Sequence, residues 1–283
     1  MSARRDASPA RAALEAPELP PGARPAWPVW SGFAAMGTGT AVVLVASIPL
    51  VPVAFTSVLG GAIGQLSLLV LILVQDAAYV GSAVGFARLR GKPRSWQFGL
   101  RPSPLLRTAG IALLATLVVL GFEIGFLELI GIGDDETDVL GTDGGFVAAL
   151  AFSLAAIVVA PVAEELFFRG FVYRALRNRM AVWAACSINA AVFSLVHVQY
   201  LATPAVFVVI AVFAVSACLA YEYTGSIFAP IAMHAAFNTL ATAGTDAGYA
   251  APIGVGATVV LACAIVPTRL RHAPSPFPPL KPA

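Results

Sequence analysis

Eight stretches of this chain are apolar for long enough to cross a bilayer, and little else separates them. A helix needs about 20 apolar residues to span the hydrocarbon. The runs fall at 32–55, 61–87, 106–131, 146–170, 182–199, 204–221, 225–243 and 251–268. In lipid every backbone N–H and C=O must find its partner within the protein, so runs of this kind fold as helices. The expected fold class is an all-α polytopic membrane protein with about eight transmembrane helices. Composition agrees, since 59% of the residues are hydrophobic and only 11% are charged, against about 25% charged in soluble domains. Cys186, Cys218 and Cys263 all lie in apolar runs without CxxC spacing, and read as small core residues. A net charge of +2 gives no reason to expect a nucleic-acid partner.

The flanks and loops divide by charge. Residues 1–30 are rich in Ala, Pro and Arg, carry no clean signal-cleavage site, and read as a disordered cytoplasmic tail. Residues 31–268 form the transmembrane domain, and residues 269–283 a Pro-rich cytoplasmic tail. Arg88, Arg90, Lys92, Arg94, Arg101 and Arg107 cluster between the second and third runs, and Arg174, Arg177 and Arg179 follow the fourth. The loop after the third run is acidic, with Asp134, Asp135, Glu136, Asp138 and Asp143. Positive loops remain in the cytoplasm, so both termini are expected there. The Ala/Arg/Pro-rich composition is that of a GC-rich bacterial source, which makes the plasma membrane the expected location.

Against this apolar background a few polar groups stand out. Pro161-Val-Ala-Glu164-Glu165-Leu-Phe-Phe-Arg169-Gly170 puts two acids and an arginine in one membrane run. A charge in mid-bilayer costs about 2.5–3.5 kcal/mol on insertion scales, so it persists where it pairs, meets a wet cavity or does chemistry. Glu165 and Arg169 are four apart and share a helix face, while Glu164 is turned about 100° from Glu165. Phe193 and His197 share a face in the fifth run, as do His234 and Asn238 in the seventh. Pro161 and Pro230 each precede a polar motif by a few residues and are expected to distort their helices there. If the fourth and fifth runs form a hairpin turning near residues 180–181, Glu164 and His197 each lie about 16 residues, or roughly 25 Å, from the turn. His234 and Asn238 lie roughly 14–20 Å along the seventh helix. The three motifs are thus expected to meet in one intramembrane pocket. Asp76, in the second run, either lines that pocket as a partner to Arg169 or is a buried structural acid. Asn189 reads as a helix-packing hydrogen bond, His272 as a solvated tail residue, and Glu123 has no assigned part.

The ordered set Glu164-Glu165-x-x-x-Arg169, Phe193-x-x-x-His197 and His234-x-x-x-Asn238 resembles the CPBP family of CAAX prenyl endopeptidases and bacteriocin-processing enzymes, also called Abi. The resemblance covers residues 146–243, which would be the catalytic core. It implies an intramembrane endopeptidase acting on a membrane-associated or lipidated protein or peptide. By matching position it implies that Glu164 activates the attacking water, with His197 helping to hold it. His234 and Asn238 would stabilise the oxyanion, and Glu165 and Arg169 would be the supporting pair. The family's metal dependence is unsettled.

The residues themselves support that chemistry and leave alternatives open. Amide hydrolysis needs a positioned water, a base and oxyanion donors, and these motifs offer a carboxylate as base and donors in Asn238 and His234. The cofactor is either none or zinc. A zinc ion would take Glu164, His197 and His234, a His2Glu set drawn from three helices because no HExxH helix exists. The non-enzymatic alternative is a membrane carrier or binding protein that uses buried charges as a ligand or proton path. The expected partners are membrane lipids and the substrate.

Overall fold

The computed structural model describes residues 27–50, 62–132, 145–243 and 250–270. The tail at 1–26, the acidic loop residues and the tail beyond 270 lie outside the described residues. Eight helices follow in order: α1 Val29–Ser47, α2 Ala62–Arg88, α3 Leu105–Ile130, α4 over residues 145–177, α5 Val182–Leu195, α6 Ala205–Thr224, α7 Phe228–Thr242 and α8 Ala250–Arg269. No strand occurs among the described residues. Short 3-10 turns at Ile48–Leu50, Ser95–Phe98 and Val198–Tyr200 punctuate the chain. Six of the helices are long and apolar enough to cross a membrane. The other two, α5 and α7, have 14 and 15 residues, or about 21–23 Å of rise. The hairpin between α4 and α5 turns at residues 178–181, where the sequence placed it.

Large apolar side chains face outward and small ones make the contacts between helices. On α3 the buried residues are Thr108, Ala112, Thr116 and Val119, while Leu106, Leu113 and Leu117 are exposed. Lipid solvates leucine as well as protein does, so close backbone approach through small residues is what holds membrane helices together. The basic segment between α2 and α3 is mostly exposed, but Arg101 is buried. Its Nε donates to the Trp96 carbonyl at 2.7 Å and its guanidinium lies over the Trp96 ring. Burial pushes its pKa down to about 10, which still leaves it charged at neutral pH.

The fourth helix is the central element. It packs against α1, α2, α5, α6, α7 and α8. From Glu165 to Arg177 every residue but Leu166 is buried. It is also irregular, because Ala155–Val159 and Glu165–Tyr173 are wound as π-helix. The first distortion follows from Pro161. In this register the Ala160 N–H bonds to Ala155 O, five residues back. The carbonyl of Ala156 would next look to residue 161, which is proline and has no N–H. Its donor comes from another helix: Asn238 Nδ2 supplies the hydrogen bond at 2.7 Å. In the second π segment, Asn189 Nδ2 on α5 donates to the Phe168 carbonyl at 2.9 Å, which is the packing role its sequence position indicated. Pro230 behaves differently from expectation. It is the third residue of α7, where a helix has no intrahelical donor to lose, so α7 runs undistorted past it.

Gly170 marks a close approach of α4 to the backbone of another segment. A Cβ there would lie 2.8 Å from the Phe98 backbone carbonyl in the 3-10 turn before α3. Gly170→Ala is therefore expected to destabilise the fold by about 1–3 kcal/mol through overpacking. Gly110→Ala, with nothing within 4 Å of the added methyl, should be nearly neutral. Thermal unfolding of the two purified variants in detergent checks the contrast.

Candidate active site

Glu165 and Arg169 form an ion pair at 2.8 Å with both side chains fully buried. The guanidinium does more than neutralise the acid. Its Nη2 donates to the Ala214 carbonyl of α6 at 3.3 Å, and its plane sits 4.4 Å from the centre of the Phe193 ring. The pair predicted from spacing within α4 thus also binds that helix to α5 and α6.

His234, on α7, stands between the two glutamates. Its Nδ1 is 2.9 Å from Glu165 Oε1. A carboxylate oxygen can only accept, so Nδ1 carries the proton in this contact. The other ring nitrogen, Nε2, faces Glu164 Oε2 at 4.0 Å. The edge of the ring packs against Phe213, with centroids 4.8 Å apart. Glu165, Arg169 and His234 are therefore one hydrogen-bonded group, with Glu164 beside it. Asn238, one turn further along α7, is half-buried and spends one of its two N–H groups on Ala156 O.

His197 lies just beyond the end of α5, where its backbone leaves the helix. Its Nδ1 donates to the Phe193 carbonyl at 2.7 Å, which leaves Nε2 as the ring's accepting nitrogen. It joins the group through an aromatic ring: Phe193 lies 4.7 Å from His197 and 6.3 Å from His234, centroid to centroid. It makes no hydrogen bond to Glu164 or His234. Of the six residues read from the sequence as a site, three are directly hydrogen-bonded to one another, Glu165, Arg169 and His234; Glu164 stands 4.0 Å from His234, His197 is joined through Phe193, and Asn238 bonds Ala156 O.

Residues 146–240 match the family described as type II CAAX prenyl endopeptidase Rce1-like. The match agrees with the resemblance read from the motifs, and its interval contains Glu164, Glu165, Arg169, His197, His234 and Asn238. No curated protein and no solved structure matched the chain.

Within the Rce1-like interval the zinc set is not assembled. Among the described residues no three His, Cys, Asp or Glu side chains are grouped closely enough to hold a metal ion. Each histidine bonds through Nδ1, to the Phe193 carbonyl or to Glu165, and leaves Nε2 open, as a metal ligand would. What the Glu164–His197–His234 set lacks is convergence of the three side chains on one point. The cysteines sit as expected, free and buried.

Two acids extend the picture. Asp76, on α2, is buried, and α2 packs on residues 160–164 of α4. It is not the partner of Arg169, whose carboxylate is Glu165. Glu222, which the sequence reading passed over, accepts from Tyr173 Oη at 2.8 Å and pairs with Arg177. Its signal was an acid near the end of α6, facing the arginines at the end of α4. Those arginines do not all project into solvent: Arg174 and Arg177 are buried, and Arg179 is exposed.

Removing Arg169 would strand Glu165 in the interior. Arg169→Met is expected to cost about 3–5 kcal/mol, the penalty for one unpaired buried charge. Arg169→Met combined with Glu165→Gln should cost less than Arg169→Met alone. Thermal unfolding of the single and double variants measures the difference.

Proposed function

We propose that the chain is an intramembrane endopeptidase that cleaves a peptide bond in a membrane-associated or lipidated protein or peptide, with Glu164 activating the water. One observation carries the reading beyond the family match: His234 bonds Glu165 through Nδ1 and turns Nε2 toward Glu164 at 4.0 Å. That gap is too long for a direct hydrogen bond and admits a water in contact with both groups.

The chemistry runs through the residues' own donors and acceptors. Glu164 takes a proton from the water as its oxygen adds to the scissile carbonyl carbon. The carbonyl electron pair moves onto oxygen. The second N–H of Asn238 and an Nε2–H of His234 hold that oxyanion, the latter when the ring carries both protons. The proton on Glu164 then passes to the amide nitrogen as the C–N bond breaks. His197 Nε2, left as an acceptor by the bond from Nδ1 to Phe193 O, takes a hydrogen bond from the water and orients it. Glu165 and Arg169 keep His234 in place. The membrane supplies the substrate laterally; the basic loops support an orientation with both termini in the cytoplasm, and the Ala/Arg/Pro-rich composition supports a bacterial source.

The test is cleavage of membrane-inserted and lipidated peptides by purified protein in proteoliposomes. Glu164→Gln and His197→Ala are each expected to abolish turnover. His234→Ala should lower kcat by about 10²–10³-fold, the effect of losing one oxyanion donor. All three should elute and unfold like the parent. Full activity in Glu164→Gln would sink the mechanism.

A further inference from the structure

Five cations stand outward along one stretch of the chain, and no step of the hydrolysis uses them. Arg88 ends α2, Arg90, Lys92 and Arg94 follow within six residues, and Arg107 lies in the first turn of α3. All five are exposed. Residues 77–122 contain no Asp or Glu, and Glu222, at the end of α6 beside this stretch, is taken by Arg177.

The stretch is held in place by its own contacts. The N–H groups of Leu89, Arg90 and Gly91 turn back on the carbonyls of Phe86, Ala87 and Arg88. Arg94 N donates to Gln97 Oε1 at 2.8 Å, and the Phe98 ring packs on Trp27 at 4.8 Å. The Gly99 carbonyl accepts from Ile227 N at 2.8 Å, and the Arg101 carbonyl from Ser226 Oγ at 2.9 Å. The segment is thereby fixed to the turn between α6 and α7. Successive cations from Arg88 to Arg94 are two residues apart, so their Cα atoms lie within about 7 Å. That is inside the screening length of about 8–10 Å at physiological salt, and such like charges repel. An anionic surface relieves the repulsion.

Helix length sets the level at which these charges lie. The α2 and α3 helices have 27 and 26 residues, or about 39–40 Å of rise. The hydrocarbon is about 30 Å thick, and the bilayer with its headgroups about 40–45 Å. Both helices therefore run on into the headgroup layer, and the basic stretch joins them there. Leu89, Leu105 and Leu106 are 68%, 43% and 83% exposed beside the cations. Leucine next to arginine in this way matches the boundary between phosphate and hydrocarbon.

We propose that residues 88–107 form a docking surface for anionic phospholipids, with the five cations on the phosphodiester groups and the three leucines at the acyl boundary. Guanidinium binds phosphate oxygens in pairs and ammonium binds them as a point charge. The surface holds this end of α2 and α3 against one leaflet, and it does not depend on the peptidase reading.

Native mass spectrometry of the full chain in detergent, with equimolar phosphatidylglycerol and phosphatidylcholine of the same acyl chains, tests the proposal. Wild type is expected to retain the anionic lipid about tenfold or more over the zwitterionic one. Arg90→Gln with Lys92→Gln should lower that preference by about tenfold. Arg179→Gln with Arg269→Gln removes two exposed cations elsewhere and should change it by no more than about twofold. No preference in wild type, or equal losses in the two double variants, overturns the proposal. Inorganic phosphate and a hexaglutamate peptide, added at the lipid's charge concentration, should leave the lipid bound. Displacement by phosphate marks a soluble-anion site and displacement by the peptide a protein partner; either overturns it. Should Arg90→Gln with Lys92→Gln fail to fold, a salt series on wild type decides. Raising ammonium acetate from about 0.1 M to about 1 M cuts the screening length from about 10 Å to about 3 Å and should abolish the preference. A preference unchanged at the higher salt overturns the proposal.

Discussion

A carboxylate and a guanidinium buried in a bundle that faces lipid must satisfy each other, and the Glu165–Arg169 pair does so at 2.8 Å with neither side chain exposed. Other contacts at the centre of the molecule depend on it. Arg169 has donors to spare after meeting Glu165, and it reaches Ala214 on α6 and the face of Phe193 on α5. Glu165 Oε1 also receives His234 from α7. An interaction formed within one helix thereby connects four. Each added contact offsets part of the desolvation that the two charges suffer on leaving water.

The distortion of α4 and the polar residues on its neighbours belong together. Pro161 breaks the hydrogen-bond ladder just before the glutamates and leaves the Ala156 carbonyl to be satisfied from outside. Asn238 does so from α7, and Asn189 from α5 serves the Phe168 carbonyl further along. An unpaired peptide group is expensive in a membrane, so these two carboxamides allow α4 to be wound as π-helix on either side of the Ala160–Glu164 turn. The same bond fixes the side chain of Asn238, one turn along α7 from His234. Backbone repair and orientation of a candidate site residue are thus one contact.

Much of this was readable from residue order. Apolar runs of membrane length set the number of helices and their approximate ends, because a bilayer allows few ways of satisfying a backbone. The spacing of four between Glu165 and Arg169 gave the ion pair, since helix geometry puts such residues side by side. The proline reading held at Pro161 and failed at Pro230. The difference is position within the helix: one lies deep inside it and the other in its first turn, where no bond is lost. Residue counting placed His197 level with Glu164, but did not show that the ring would turn back to cap its own helix.

What the sequence alone determined, then, is the class of protein, the helices and the identity of the polar groups they bury, because these follow from local periodicity and from the cost of charge in hydrocarbon. Which of those groups touch was decided by the packing of helices distant in the chain. His234 meets Glu165 across 69 residues and Asn238 meets Ala156 across 82. Rotation of one helix against another sets such contacts, and the pattern of a single helix does not contain it.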